Sequence, residues 1–505
     1  MSHLVIAPVL VPLLAGLLLL LLRSGTLERR RLLSVAMVAV QILLALWLVQ
    51  ITAGGEILVY ALGNWPAPFG IVLVADRLAS WMLLTTGLLA FFALLYAVRG
   101  VDRIGRHFHI LFQWQLLGLN GAFLTGDLFN LFVFFEILLL ASYGLILHGG
   151  GRLRVRAGLH YVVLNLVGST LFLFAVGALY GVLGTLNMAD LALKAATVSP
   201  EQLPVVRAAG LVLFAVFALK AALVPLYLWL PAAYANTSAP VAALFAIMTK
   251  VGAYAIVRVY TLVFGAEAGA VADLIEPWLL PLALATLTLG TLGALASRAL
   301  SQQTAYLVVA SVGSLLTAVG LGSEAGLAAA LYYLPHTTFA IGAMYLLADT
   351  IASRRGALGD RFEPAPPIAQ HAVVGALFFT LAVVVSGLPP LSGFVGKFLT
   401  LRAAVDHPLW AGVFAAVLGA GLLTVIALAR SGSLLFFRAL PREEGDAAPV
   451  AAVTGYQGLI PGAALLGLCI AMTLWAGKIH QHSTAIATQL LTPTDYIHAV
   501  LGGRR

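Results

Sequence analysis

The chain is a succession of apolar runs, each about twenty residues long, separated by short segments that hold most of its arginines. A run of that length, wound as a helix, matches the hydrocarbon thickness of a bilayer. Hydrocarbon offers no partner for backbone N–H and C=O groups, so such runs must satisfy themselves as helices. With 61% hydrophobic residues, 10% charged ones and a mean hydropathy of +1.02, the chain carries more apolar surface than a soluble core can bury. The expected fold is an all-α polytopic membrane protein with about 14 transmembrane helices. They are expected to start near residues 4, 33, 73, 108, 129, 161, 208, 239, 274, 303, 325, 369, 410 and 456. The stretch 108–147 can also be read as one long helix. No basic residue precedes the first run and Arg23, Arg29, Arg30 and Arg31 follow it, so it is not read as a cleavable signal peptide.

The arginines set a topology. Counting fourteen spans from an outer N-terminus, the inner loops collect Arg23, Arg29, Arg30, Arg31, Arg99, Arg103, Arg106, Arg152, Arg154, Arg156, Arg298, Arg354, Arg355, Arg361, Arg438 and Arg442. The outer segments hold only Lys194, Arg207, Arg402, Lys478, Arg504 and Arg505, and the outer loop at 263–277 has only the acids Glu267, Asp273 and Glu276. This is the positive-inside pattern. It places both termini outside (periplasmic) in the inner, or cell, membrane of a prokaryote, and it accounts for the net charge of +8 without any nucleic-acid partner.

The single cysteine, Cys469, leaves no disulfide framework, cysteine-held cluster or thiolate zinc site. No glycine-rich dinucleotide fingerprint and no Walker A sequence occur, so neither cofactor nor metal is expected, and the driving force must be an ion gradient or a partner.

Four charges interrupt the apolar runs. Lys220 lies in LVLFAVFALKAALVPLYLWL, Lys250 in VAALFAIMTKVGAYAIV, Lys397 in LPPLSGFVGKFL and Glu136 in FNLFVFFEILLLASYGLIL. A charge at the bilayer centre costs roughly 2.5–3.5 kcal/mol on insertion scales, so its presence calls for a function. Arginine outnumbers lysine 23 to five, yet three of the lysines are at membrane depth. Lysine can lose its proton when buried and arginine cannot, which points to proton or cation movement. Glu136 opposite Lys220 would form a switchable pair. Lys250 would take the proton onward, His336 in YYLPHTTFAIGAMYLL would carry it near neutral pH, and Lys397 would be the last basic group. The duller alternatives are a static Glu136–Lys220 salt bridge and a His336 that only bonds a carbonyl. Asp76 and Arg77 read as an interfacial anchor, Arg258 and Arg430 as structural or snorkelling groups, and Asp349 as a partner of Arg354 or Arg355.

Lys220 and Lys397 both sit beside helix breakers: Pro225 and Pro231 in the first case, Gly387, Pro389, Pro390, Gly393 and Gly396 in the second. Broken backbone at membrane depth survives only against protein or a water-filled cavity. The two sites belong to expected helices 7 and 12, five spans apart, so the second copy points the other way. The expected organisation is therefore helices 1–3 over 1–107, a five-helix repeat over 108–262 and a second, inverted five-helix repeat over 263–437. Residues 438–505 hold a loop, helix 14 and a C-terminal tail.

In this order, TGDLFNLFVFFEILLLASYGLI, FALKAALVPLYLWLPAAYANTSAPVAALFAIMTKVGAYAIVRV and SGLPPLSGFVGKF resemble the proton-conducting, antiporter-like membrane subunits shared by complex I, membrane-bound hydrogenases and multisubunit Mrp cation/proton antiporters. Within that family the chain is most similar to the D-type subunits of Mrp antiporters. The large A-type subunits and the most distal complex I subunit carry long C-terminal extensions, whereas this chain stops soon after its fourteenth expected span. The resemblance implies one component of a Na⁺ (or K⁺)/H⁺ antiporter, acting with other subunits in a hetero-oligomer. It matches Glu136 and Lys220 to the family's acid–lysine pair, Lys250 to its central lysine and Lys397 to its terminal lysine. Two positions depart. Ala340 stands where the family often has a lysine four residues after the histidine, and Ser311 where it often has histidine or glutamine. The link from Lys250 to Lys397 then rests on His336, on hydroxyls such as Ser311, Ser314 and Thr338, and on water. A proton-pumping subunit of a redox complex is the alternative reading. A stand-alone solute carrier fits less well, because groups suited to an organic substrate are sparse. No nucleophile–base or metal-ligand set supports an enzyme.

Overall fold

The computed structural model describes residues 3–22, 25–438 and 455–502. Arg23, Arg442, Arg504 and Arg505, which contribute to the charge asymmetry, lie outside the described residues. Among the described residues twenty α-helices follow in chain order: α1 His3–Leu21, α2 Leu27–Thr52, α3 Arg77–Ala97, α4 Phe108–Leu124, α5 Leu128–Ile146, α6 Arg152–Leu183, α7 Met188–Ala196, α8 Leu203–Ala221, α9 Trp229–Asn236 and α10 Ala239–Phe245. Then come α11 Met248–Leu262, α12 Glu276–Ala296, α13 Leu300–Val319, α14 Glu324–Arg354, α15 His371–Ser386, α16 Ser392–Ala404, α17 Trp410–Gly432, α18 Ile460–Leu474, α19 Ala476–Leu491 and α20 Pro493–Leu501. Among the described residues ten helices, counting α10 and α11 together, are long and apolar enough to cross a membrane. The number is eleven if α18 and α19, which meet at 83°, form one span. Fewer pass than the fourteen runs because α4 has 17 residues, the run near 369 is divided into α15 and α16, and α14 is diluted by His336, Thr337 and Thr338.

The 108–147 stretch is two helices. Asp127 stops it from being one, because its carboxylate accepts from the Asn130 N–H at 2.8 Å and so caps the start of α5. A short antiparallel hairpin also appears, pairing β1 (Leu58–Ala61) with β2 (Val72–Ala75). It went unforeseen because the segment between the second and third apolar runs has no long alternating pattern.

Charges at the helix ends are more tightly held than their positions suggest. Asp76 caps α3 through the Ala79 N–H at 2.8 Å and pairs with both terminal nitrogens of Arg258, at 2.8 and 2.6 Å. The two side chains are 2% and 4% exposed, so Asp76 is a buried ion-pair partner and not an interfacial anchor, and Arg258 does not snorkel. Tyr254 and Tyr496 flank its guanidinium, with ring centroids at 5.6 and 5.3 Å. Asp349 accepts from the Tyr96 hydroxyl at 2.6 Å, while Arg354 and Arg355 spend their hydrogen bonds on backbone carbonyls. Asp102, in the α3–α4 connection, takes both Arg31 Nε and a terminal Arg31 nitrogen at 2.6 and 2.7 Å, and His109 at 3.1 Å. Burial works to raise the Asp102 carboxyl, but the Arg31 and His109 hydrogen bonds outweigh it and hold the group at about 2.

Both expected breaks are present. α8 ends at Ala221 with Ala222 left-handed (φ 60°, ψ 44°), and the helical path resumes at Trp229. α15 ends at Ser386, Gly387 turns left-handed (φ 73°) where other residues would be strained, and α16 begins at Ser392.

Candidate functional site

Lys220 lies in the last turn of α8, where α11 crosses it closely. A Cβ on Gly252 would come within 2.4 Å of the Ala221 nitrogen, so glycine is required for this approach. The same crossing sets Lys250, two residues earlier on α11, into the interior with no exposed surface, while Lys220 is 8% exposed.

Glu136 and Lys220 do not form a direct ion pair: among the described residues no such contact lies within 4.0 Å. Instead each has its own partner on α6. The Ser169 hydroxyl donates a hydrogen bond to Glu136, and the Lys220 ammonium donates to the Asn165 amide oxygen at 3.2 Å. Asn165 and Ser169 are one turn apart on one helix face. The sequence places both α6 residues within an apolar helix, and their i, i+4 spacing was the only signal that could have marked them.

Lys250 donates to Ser311 Oγ on α13 at 3.3 Å, and Ser311 in turn donates to the Val308 carbonyl at 2.7 Å. His336, 1% exposed on α14, bonds through Nδ1 to Ser392 Oγ at 2.9 Å, and Ser392 opens the half-helix α16 that carries Lys397. Lys397 donates to the Ser386 carbonyl at 2.6 Å, a carbonyl freed where α15 stops. A cavity of about 30 Å³, enough for about two waters, is lined by Ser311, Ser314, His336, Thr337, Ala340 and Lys397 among others. It brings the groups expected to link Lys250 with Lys397 to one place. One expected hydroxyl is replaced: Thr338 spends its own on the Leu334 carbonyl at 2.8 Å, and its neighbour Thr337 lines the cavity. A side chain longer than alanine at 340 would enter this space.

The family model described as "NADH:quinone oxidoreductase/Mrp antiporter, TM" matches residues 125–424, a span that contains all five of these ionisable groups. A Rhizobium meliloti (strain 1021) protein described as the D component of a probable K(+)/H(+) antiporter is 41% identical, over 100% of this chain and 98% of the relative. The chain belongs to the NADH:quinone oxidoreductase/Mrp antiporter family. Another member, the D component of the Bacillus subtilis (strain 168) Na(+)/H(+) antiporter, is 37% identical over 99% of this chain and 100% of its own length. Among solved members, a chain of the Mrp complex from Dietzia sp. DQ12-45-1b superposes with a TM-score of 0.89 at 29% identity, covering 99% of this chain and 100% of that one. A chain of respiratory complex I from Thermus thermophilus gives 0.74 at 27% identity, covering 96% and 99%.

Proposed function

We propose that this protein is the D-type membrane subunit of a multisubunit monovalent cation (Na⁺ or K⁺)/proton antiporter, and that protons cross it along Glu136, Lys220, Lys250, His336 and Lys397. One observation carries the reading. The five groups sit on α5, α8, α11, α14 and α16, and each is held by a neutral polar partner, with a cavity sized for water beside His336 and Lys397. Neutral partners let a lysine exist with or without its proton, whereas a tight ion pair would fix the charge. The D-type relatives favour antiport over the redox-pump reading, which shares the same core. The proposal includes about fourteen spans with inverted halves at 108–262 and 263–437. It also places both termini on the outer side of the cell membrane, with the remaining antiporter subunits and lipid as partners.

The test is to express the chain with its partner subunits in a host stripped of Na⁺/H⁺ antiporters and to follow vesicle pH after adding Na⁺ or K⁺. Cation-dependent proton exchange and co-purification with small antiporter subunits are the expected results. Co-purification with redox subunits, and proton movement that follows electron donor and ignores the cations, would overturn the proposal.

A further inference from the structure

Resting on that reading, we propose that Asn165 is a positioning residue that holds the Lys220 ammonium apart from Glu136. Lys220 then alternates between Asn165, where it faces Lys250, and Glu136, where it recharges.

α6 gives each charge its own partner one turn apart: Ser169 to the acid and Asn165 to the base. The Asn165 amide cannot turn over, because its Nδ2 donates to the Tyr161 carbonyl at 2.8 Å and its oxygen must therefore face the ammonium. Beside it is a cavity of about 20 Å³, room for about one water, lined by Tyr161, Asn165, Lys220, Trp229, Met248 and Val251, and on the α5 side by apolar residues such as Phe135. Met248 and Val251 belong to α11, the helix that also carries Lys250, so this space lies between the Asn165-bound lysine and that helix. The ionisable groups facing Lys220 are Glu136 from α5 and Tyr161 from α6, while α9 and α11 present Trp229, Met248 and Val251 there.

The chemistry follows from the acceptor. A carboxylate grips an ammonium through a full charge, and an amide oxygen only through a dipole. On Asn165 the lysine can give a proton to water while that water passes a proton to a neutral Lys250 amine, leaving Lys220 neutral and Lys250 charged. Glu136, once protonated by water from the entry side, gives that proton to the neutral Lys220 and returns to the carboxylate. Without Asn165 the ammonium would settle on Glu136 and the cycle would stall.

The test uses the whole complex in vesicles, with Asn165→Asp, Asn165→Ala and Asn165→Gln, and with membrane abundance and assembly checked on native gels. Asn165→Asp keeps the shape and adds a charge that retains the proton on Lys220. Its exchange–pH curve should move to higher pH by about one unit or more. Asn165→Ala should lower maximal exchange on the order of tenfold, and Asn165→Gln should restore part of it. A wild-type pH curve in Asn165→Asp overturns the positioning role, whether the rate is normal or reduced. Should Asn165→Asp fail to assemble, wild-type exchange in Asn165→Ala overturns it as well. Failure of the relay itself reads differently, since Lys220→Ala would then exchange normally.

Discussion

Replacing Lys250 by arginine separates a proton carrier from a fixed positive charge. In water a lysine is neutral in roughly one molecule in 250 at pH 8, and an arginine in roughly one in 600,000, from reference values of about 10.4 and 13.8. If the neutral form must receive the proton, Lys250→Arg slows that step by about three orders of magnitude. The structure adds a steric cost. Lys250 has no exposed surface and its ammonium meets Ser311 Oγ at 3.3 Å, so a guanidinium overpacks the site by about 1–3 kcal/mol. Lys250→Met, close in length and neutral, controls for packing: it should assemble well and yet fail to exchange. The assay is cation-dependent pH recovery in vesicles carrying the complete complex, normalised to the amount of this chain in the membrane. Exchange by Lys250→Arg above about a tenth of the wild-type rate would refute the reasoning, because a thousandfold loss of the neutral form leaves no room for it.

Glu136→Ala and Lys220→Ala should each abolish exchange with membrane abundance largely kept, and Glu136→Asp should keep part of it; wild-type rates in either alanine variant count against the relay. His336→Ala should slow exchange strongly and His336→Lys retain it, whereas a His336→Gln protein that matches wild type from pH 6 to 9 would make the histidine a packing or water-orienting residue. Arg258→Met leaves Asp76 buried without its partner and should destabilise the protein by about 3–5 kcal/mol, read as a fall in the thermal midpoint in detergent. Asp102 is held at about 2 against an ordinary 3.8, so its contribution to stability is present above pH 4 and lost as pH falls towards 2. Asp102→Asn should remove that acid-limb loss, and an unchanged thermal midpoint between pH 5 and 3 in the parent protein would contradict it.

The sequence by itself determined the solvent, the element type and the ionisable groups. Apolar runs of membrane length dictate helices, and the lysines within them stand out because charge there is costly. The breaks near Lys220 and Lys397 were legible because proline and glycine act on local backbone alone. Partners were not legible. Asn165, Ser169 and Ser392 are ordinary residues on apolar helices, and nothing in their neighbourhood tells which charge a helix from elsewhere in the chain will bring to them. Only the tertiary structure gave Glu136 and Lys220, expected as a switchable pair, separate partners one turn apart on α6. It likewise joined Asp76 to Arg258, 182 positions away, and gathered His336, Ser311 and Lys397 around one cavity. Helix periodicity fixes which face a side chain occupies. The crossing of helices, set by close contacts such as Gly252 against Ala221, decides what that face meets.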